Sequence, residues 1–218
     1  MSKGHVAIAI DGPAASGKST LARELSQRFG LIMVNSGAMY RAVTWKIIQL
    51  GIDPADEASV IEALGKMDLH CGVENLESTI RIDGQDPGEE LRSEAVNLAV
   101  SAVSAIPEVR RRLVELQRGY LDFADVVMEG RDIGTVVFPD TPFKIYVDAD
   151  ATVREERRVV AGEIDAVAER DRQDSGRATA PLRIADGAAI LDTSGHTIET
   201  GVAEAIRLLR EQGLELGK

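Results

Sequence analysis

The sequence has little of several features that mark particular classes of protein. It contains one cysteine, Cys71, so no disulfide can form within the chain. Aromatic residues make up only 4% of the 218 residues. No run of about 18 apolar residues occurs, which predicts that no helix crosses a membrane. The first apolar run is short and lacks the layout of a signal peptide, so we expect a cytoplasmic protein.

Positive charge is also scarce. The chain has 25 Lys and Arg residues against 36 Asp and Glu residues, and its net charge is −11 at pH 7. An acidic surface repels a phosphate backbone, so we expect no nucleic-acid polymer as a partner, although clustered arginines could still bind a small phosphorylated ligand. The hydrophobic fraction of 44% is typical of an ordinary globular chain. We expect a monomer with no membrane partner.

One motif near the start of the chain is present in full. Five apolar residues, Val6 to Ile10, predict a buried strand, and Leu21, Ala22, Leu25 and Phe29 follow at helical spacing. Between them lie two glycines, a lysine and a serine at the spacing of the phosphate-binding P-loop. The residues that we expect to bind ATP here are Gly12, Pro13, Ala14, Ala15, Ser16, Gly17, Lys18, Ser19 and Thr20.

Each residue type in the P-loop suits a phosphate for a physical reason. Gly12 and Gly17 allow a tight turn and a close approach of the backbone to an anion. Successive backbone N–H groups then form an anion-binding nest at the N-terminus of the helix. Lys18 brings a compact positive charge to the phosphates, and the Ser19 hydroxyl can bind Mg²⁺.

The rest of the chain predicts an α/β fold with a doubly wound, five-stranded parallel sheet. The further strands predicted for this sheet are 31–34, 126–128, 143–147 and 188–191. Residues 52 to about 105 interrupt the alternation of strands and helices. Short strands at 69–73 and 79–82, the turn signal Asp83-Gly84 and a helix over 91–105 predict a small α+β insertion. We expect the apolar stripe of that helix to comprise Ala95, Leu98, Ala99, Ala102 and Val103.

Polar residues follow several of these strands, at the sheet edge where ligands bind in open α/β folds. Ser36, Tyr40 and Arg41 follow the second strand, and the segment Glu129-Gly130-Arg131-Asp132 follows the third. The acids that could orient Mg²⁺ through water are Asp11, Glu129, Asp132 and Asp148, and the sequence does not choose among them. The arginine-rich, polar stretch 151–177 predicts a short helical lid that excludes water.

The chain resembles the bacterial cytidylate kinases, which are nucleoside monophosphate (NMP) kinases, over essentially its full length. The P-loop stretch from Ile10 to Thr20 is shared by many families. More specific are the matches at 36–41 (SGAMYR) and 130–139 (GRDIGTVVFP), together with Ala180-Pro181-Leu182 and Leu191-Asp192. The resemblance implies transfer of the ATP γ-phosphoryl group to CMP and dCMP with Mg²⁺.

The resemblance also implies a division of the chain and roles for named residues. It implies one kinase unit with a core (1–35, 106–150 and 178–218), an NMP-binding part (36–105, with the insertion at 63–105) and a lid (151–177). The implied catalytic residues are Lys18, Arg131, Arg157 and Arg158, and Arg154 is implied to contact ATP. The implied CMP-binding residues are Ser36, Tyr40, Arg41, Ser101, Arg110, Glu129, Gly130, Arg131, Asp132, Arg170, Asp174 and Arg177.

Three departures from the family pattern and two alternative functions stay open. Gly187 stands where the family usually has Asp. Glu129 stands where the family usually has Asp, and the lid is about three helical turns shorter than usual. One alternative is another small-molecule P-loop kinase, acting for instance on shikimate or dephospho-CoA. The other is a nucleotide-dependent switch. None of the three asparagines, Asn35, Asn75 and Asn97, lies in the Asn-Lys-x-Asp motif by which GTPase switches read guanine.

Overall fold

The computed structural model describes residues 4–160 and 181–215. Its strands are β1 (Ala7–Asp11), β2 (Ile32–Asn35), β3 (Leu69–Glu74), β4 (Glu77–Ile82), β5 (Val126–Gly130), β6 (Lys144–Asp148) and β7 (Ala189–Asp192). Its α-helices are α1 (Lys18–Phe29), α2 (Ser36–Gln49), α3 (Glu57–Leu64), α4 (Glu94–Ala105), α5 (Pro107–Gly119), α6 (Ala151–Val160) and α7 (Ile198–Glu211). No helix within these described ranges is both long and apolar enough to span a membrane.

The predicted α/β fold with a parallel core sheet is confirmed. Five neighbouring strands, in the order β2-β5-β1-β6-β7, pair in parallel. The carboxyl ends of β2, β5 and β1 are level, because Asp11 pairs with Gly130 and Asn35 pairs with Glu129, and those of β6 and β7 lie close by, since Asp11 pairs with Tyr146. The polar residues that follow these strands therefore emerge along one edge of the sheet, as parallel pairing requires.

The predicted count of five strands is wrong, because the sheet has seven within the described residues. The insertion folds as an antiparallel hairpin of β3 and β4, and β4 joins the edge of β2 through the pairing of Met33 with Glu77. The hairpin turns at Asn75 and Leu76, both with positive φ. The predicted turn at Asp83-Gly84 is also present. It follows β4 and allows Gln85 to pair with Ile82, and it does not join β3 to β4.

Two apolar clusters lie on opposite faces of the sheet. Ala7 and Ala9 of β1 belong to one cluster, and Ile8 and Ile10 belong to the other. The first cluster also contains buried residues of α2, the insertion and α5, whereas the second contains residues of α1 and α7. The continuous apolar run of β1 is thus explained by burial on both faces, as the sequence predicts.

The apolar stripe predicted for the helix at 91–105 is mostly wrong. Val96, Val100 and Val103 of α4 are buried, whereas Leu98 is 73% exposed. Both sets of residues follow helical spacing, so the periodicity alone does not decide between the two overlapping stripes. The β-branched face packs inward, and α4 is therefore rotated from the predicted orientation.

The role of Gly12 yields a stability prediction. A Cβ at this position would lie 2.0 Å from the carbonyl oxygen of Val147 in β6, so the missing side chain permits contact between the P-loop and the sheet. We expect Gly12→Ala to lower the free energy of unfolding by about 3 kcal/mol or more, measured by urea denaturation. The matched control is Gly119→Ala in α5, where a Cβ would meet no atom within 4 Å. Equal stability of the two variants would contradict this explanation.

Candidate active site

The P-loop has the backbone conformation of an anion-binding nest. Ala15 and Gly17 have φ angles of 59° and 93°, in the left-handed region, and α1 begins at Lys18. This alternation turns successive N–H groups toward one side of the loop. The ammonium of Lys18 is buried and lies 2.5 Å from the carbonyl oxygen of Pro13 and 3.5 Å from Ser16 Oγ. The loop therefore combines oriented amides with a buried positive charge.

A cleft of about 1180 Å³ opens over the P-loop. The sequence-predicted site residues that line it are Ala14, Ala15, Gly17, Lys18, Ser19, Thr20, Ser36, Tyr40, Arg41, Ser101, Arg110, Glu129, Gly130, Arg131, Asp132, Arg157 and Arg158. Four others, Gly12, Pro13, Ser16 and Arg154, are not among the lining residues. The positions Arg170, Asp174 and Arg177 lie outside the described residues. The structure thus places the segments at 36–41 and 129–132 in the same cleft as Lys18.

The buried carboxylate of Asp11 connects β1 to the turn after β5. Its two oxygens accept hydrogen bonds from the backbone N–H groups of Ile133 and Gly134, each at 2.7 Å. Burial raises the pKa of Asp11 to about 6, although these two hydrogen bonds act in the opposite direction. Asp11 therefore fixes the position of the turn that carries Arg131 and Asp132.

The carboxylate of Glu129 lies beside the P-loop serine. Ser19 Oγ donates a hydrogen bond to Glu129 Oε1 at 2.8 Å. The other three acids that the sequence offered for Mg²⁺ have different contacts. Asp11 binds the turn after β5, Asp132 pairs with Arg110, and Asp148 accepts from the backbone N–H of Ala149.

A buried ion pair lines the same cleft as the P-loop lysine. Arg110 Nη2 contacts Asp132 Oδ2, and both side chains are at most 7% exposed. Arg110 also donates to the carbonyl oxygen of Ser104 at 3.3 Å, and its guanidinium carbon lies 5.5 Å from the ring centroid of Tyr40. The aromatic face and the carbonyl orient the guanidinium, so the pair is held in a defined position.

Ser36 is built into the same edge of the sheet. Its hydroxyl donates to the carbonyl oxygen of Glu129 at 2.8 Å, and Asn35 caps the N-terminus of α2 by accepting from Ala38 N at 2.9 Å. A Cβ on Gly130 would lie 2.4 Å from Ser36 Oγ. Glycine at 130 is therefore required for the close approach of the two segments.

Two arginines of α6, Arg154 and Arg157, lie against the P-loop. Arg154 donates to the carbonyl oxygens of Ala149 (3.0 Å) and Ala14 (3.4 Å). Arg157 donates to the carbonyl oxygen of Ala15 at 3.4 Å and to Thr193 Oγ1 at 3.0 Å. These contacts place two guanidinium groups beside the loop that binds phosphates in P-loop proteins.

Several polar residues at the site are not found by the sequence reasoning, among them Thr193 and Asn97. Thr193, after β7, has its hydroxyl 2.9 Å from the Ser16 carbonyl oxygen and also binds Arg157. Asn97 of α4 accepts a hydrogen bond from Arg41. Thr193 could have been found from its place directly after a core strand, the same signal that identifies Ser36. Asn97 carries no such signal.

Comparison with known proteins identifies the family. The family model for cytidylate kinase matches residues 8–211. The chain belongs to the cytidylate kinase family. It is 39% identical over 218 residues to a cytidylate kinase of Streptomyces avermitilis, with 95% of this chain and 94% of that protein covered. It is 46% identical over 206 residues to one of Pelotomaculum thermopropionicum, covering 88% and 90% of the two chains. The prediction of a nucleoside monophosphate kinase is confirmed at the level of the family.

Solved structures agree with the fold. The Thermus thermophilus protein TT1252 matches with a TM-score of 0.50 and 19% identity, covering 98% of this chain and 100% of that chain. A sugar kinase of Janibacter sp. HTCC2649 matches with a TM-score of 0.50 and 14% identity, covering 94% and 95% of the two chains. At such identities the likeness concerns the fold alone.

The position of Asp11 gives a pH-dependent prediction. Its native pKa of about 6 lies above the ordinary value of 3.8, so between these values the native state binds the proton more readily than the unfolded chain. The contribution of Asp11 to the free energy of unfolding therefore increases as the pH falls from 7 toward 4, and it does not change with pH above about pH 7. Asp11→Asn cannot titrate, and it leaves one backbone N–H facing an amide N–H₂.

We expect Asp11→Asn to lower the free energy of unfolding at pH 5 by on the order of 2 kcal/mol, and by less at pH 7.5. Urea denaturation of both proteins across this range measures the difference. Two stability profiles that stay parallel from pH 4 to pH 8 would show that Asp11 does not titrate in this range.

Proposed function

We propose that this protein transfers the γ-phosphoryl group of ATP to CMP and dCMP, with Mg²⁺ as the metal ion. The observation that carries the proposal is that the P-loop and the buried Arg110–Asp132 pair line one cleft. One end of this cleft suits a triphosphate, and the other end suits a small ring with hydrogen-bonding edges. The cytidylate kinase relatives support the same assignment.

The donor end of the cleft is assigned to ATP. The nest of backbone N–H groups and the ammonium of Lys18 offer positive charge to the phosphates. Phosphoryl transfer needs such charge and does not need a covalent nucleophile from the protein. Arg154 and Arg157 lie beside the same loop. We assign Arg131, Arg157 and Arg158, which line the cleft, to the oxygens of the transferring group.

The donor set of the site fits Mg²⁺. Ser19 and Glu129 provide two oxygen-bearing side chains in mutual contact. Within residues 4–160 and 181–215, no group of three or more His, Cys, Asp or Glu side chains could hold a metal ion by itself. Mg²⁺ is typically held by one or two protein oxygens together with substrate phosphates and water. We therefore assign Ser19 as a ligand and Glu129 as the acid that orients the ion, which when bound neutralises charge on the phosphates.

The base end of the cleft is assigned to cytosine. Its exocyclic amino group is a hydrogen-bond donor, and its ring nitrogen and carbonyl oxygen are acceptors. The carboxylate of Asp132 and the hydroxyl of Ser101 can accept, and the guanidinium of Arg110 can donate. A neighbouring acid and arginine thus match the hydrogen-bond donors and acceptors of cytosine.

The acceptor phosphate is assigned to Ser36, Arg41 and Arg131, between the base end and the P-loop. The ring of Tyr40 packs against the guanidinium of Arg110, and the missing side chain of Gly130 leaves space for Ser36. Tyr40 and Gly130 therefore act through these neighbours. Contacts of Arg170, Asp174 and Arg177 with the sugar and base remain proposals from the family resemblance. The same holds for the division into a core, an NMP-binding part at 36–105 and a lid at 151–177.

A panel of acceptors tests this function. We expect ADP formation from ATP and Mg²⁺ to require an added acceptor, with CMP and dCMP preferred over UMP, AMP, GMP, shikimate and dephospho-CoA. Lys18→Met should lower kcat at least a hundredfold, because it removes charge from the phosphates. The measurement is a coupled assay of ADP release. Turnover without any acceptor would favour a nucleotide-dependent switch, and turnover with shikimate or dephospho-CoA alone would favour another small-molecule kinase.

Substitution of Asp132 tests how the base is read. Asp132→Asn keeps the shape of the side chain but replaces a carboxylate oxygen with an amide donor, so we expect the KM for CMP to rise tenfold or more, about 1.4 kcal/mol. The KM for ATP should change less than threefold. Asp140→Asn, at an exposed position after the same segment, is the matched control. An unchanged KM for CMP in the Asp132 variant would remove Asp132 from base recognition.

A further inference from the structure

Thr193 lies directly after β7, where the P-loop and the end of β6 meet. Its hydroxyl oxygen lies 2.9 Å from the carbonyl oxygen of Ser16 in the P-loop and 3.1 Å from that of Asp148 in β6. Its backbone N–H donates to the same Asp148 carbonyl oxygen at 2.9 Å. Thr193 lines the cleft. The residue therefore joins the end of β7 to both neighbouring segments at the edge of the site.

Thr193 also holds the guanidinium of Arg157 through two oxygen atoms. Arg157 Nη1 donates to Thr193 Oγ1 and Arg157 Nη2 donates to the Thr193 carbonyl oxygen, each at 3.0 Å. Nη1 also donates to the carbonyl oxygen of Ala15 at 3.4 Å. Contacts to both ends of a planar guanidinium fix its orientation as well as its position. A guanidinium has five N–H donors, so contacts with these oxygens leave donors for a ligand in the cleft that Arg157 lines.

The direction of the Thr193 hydroxyl follows from its neighbours. A hydroxyl has one hydrogen to donate and two lone pairs that accept. The carbonyl oxygens of Ser16 and Asp148 can only accept, so the hydrogen points to one of them and a lone pair accepts from Arg157. Only a group that both donates and accepts can join these partners. Loss of the hydroxyl therefore breaks a contact with the arginine and a contact with a core segment together.

The start of α6 is held by other contacts. The backbone N–H of Asp150, directly before the helix, donates to Ser194 Oγ at 2.8 Å. Arg154 Nε donates to the carbonyl oxygen of Ala149 at 3.0 Å. These contacts attach the first turn of α6 without the Thr193 hydroxyl. We therefore expect loss of that hydroxyl to change the position of the Arg157 side chain more than the position of the helix.

We propose that Thr193 is a positioning residue for the phosphoryl-transfer step: its hydroxyl and carbonyl oxygens hold the guanidinium of Arg157 in a fixed place beside the P-loop. The P-loop amides and Arg157 must meet oxygens of the same transferring group, so the rate depends on their relative position. The inference rests on the proposed function, because it assumes that Arg157 acts on that group. It concerns kcat and not the affinity for the acceptor.

Two substitutions at position 193 test the role of the hydroxyl. Thr193→Val keeps the shape of the side chain but removes the hydroxyl, and we expect kcat to fall about tenfold or more. The KM for CMP should stay within about threefold of wild type. Thr193→Ser keeps the hydroxyl, and we expect it to retain kcat within about threefold of wild type. The measurement is the coupled assay of ADP release with ATP, Mg²⁺ and CMP.

A double-mutant cycle separates positioning of Arg157 from a structural role. Arg157→Met removes the guanidinium and should itself lower kcat. If Thr193 acts through Arg157, the addition of Thr193→Val to Arg157→Met should lower kcat by less than about twofold further. If Thr193 only supports the P-loop through Ser16, or β6 through Asp148, Thr193→Val should lower kcat by the same factor with either residue at position 157.

Thr141→Val is the matched control. The Thr141 hydroxyl also joins separate segments, because it donates to the carbonyl oxygen of Ala7 at 2.5 Å and accepts from the backbone N–H of Phe143 at 3.3 Å. Thr141 is not among the residues that line the cleft. We expect this variant to keep the kcat of the wild type. Thermal unfolding shows whether each variant is folded, and Thr193→Ala replaces Thr193→Val in the cycle if the valine variant does not fold.

The outcomes distinguish the inference from the function on which it rests. If the wild type phosphorylates CMP but Thr193→Val keeps its kcat, or lowers it equally in both backgrounds of the cycle, the inference is wrong and the function stands. Wild-type kcat in Arg157→Met would also overturn the inference, since Arg157 would then have no part in the transfer step. If the wild-type protein does not phosphorylate CMP, both proposals fail.

Discussion

The two halves of the cleft depend on one buried carboxylate. Asp11 is the last residue of β1, directly before the P-loop, and it holds the backbone of Ile133 and Gly134. The loop that suits the donor phosphates and the turn that carries Arg131 and Asp132 are therefore fixed to each other by two hydrogen bonds within the core. Burial works against the charged form of Asp11, and the two N–H groups compensate for part of that cost.

The second constraint is electrostatic. A chain with a net charge of −11 must gather positive charge where it binds phosphates. It does so with groups from separate stretches of the chain: Lys18 of α1, Arg41 of α2, Arg131 after β5, and Arg157 and Arg158 of α6 all line one cleft. Backbone and amide oxygens contact several of these groups, including Lys18, Arg41 and Arg157.

Much of the fold and of the site follows from the sequence, because the strands, the P-loop and the residues after each strand are local signals. The five core strands are predicted correctly. The addition of the β3–β4 hairpin to the sheet is missed, since strand pairing at an edge depends on distant neighbours. The inward face of α4 is missed for the same reason, because distant neighbours decide which of its two overlapping apolar stripes is buried. The contacts Ser19–Glu129 and Arg41–Asn97 join residues far apart in sequence, so spacing does not reveal them.

The way the insertion joins the rest of the molecule has a consequence for cooperativity. Its strands meet the parallel sheet through the pairing of Met33 with Glu77, yet residues such as Val60, Ile82 and Val96 share one apolar cluster with Ala9 and Met128 of the central strands. Excising the insertion would uncover that face of the sheet to water. We therefore expect heat or denaturant to melt the insertion together with the central strands, in one transition, and not as a separate module.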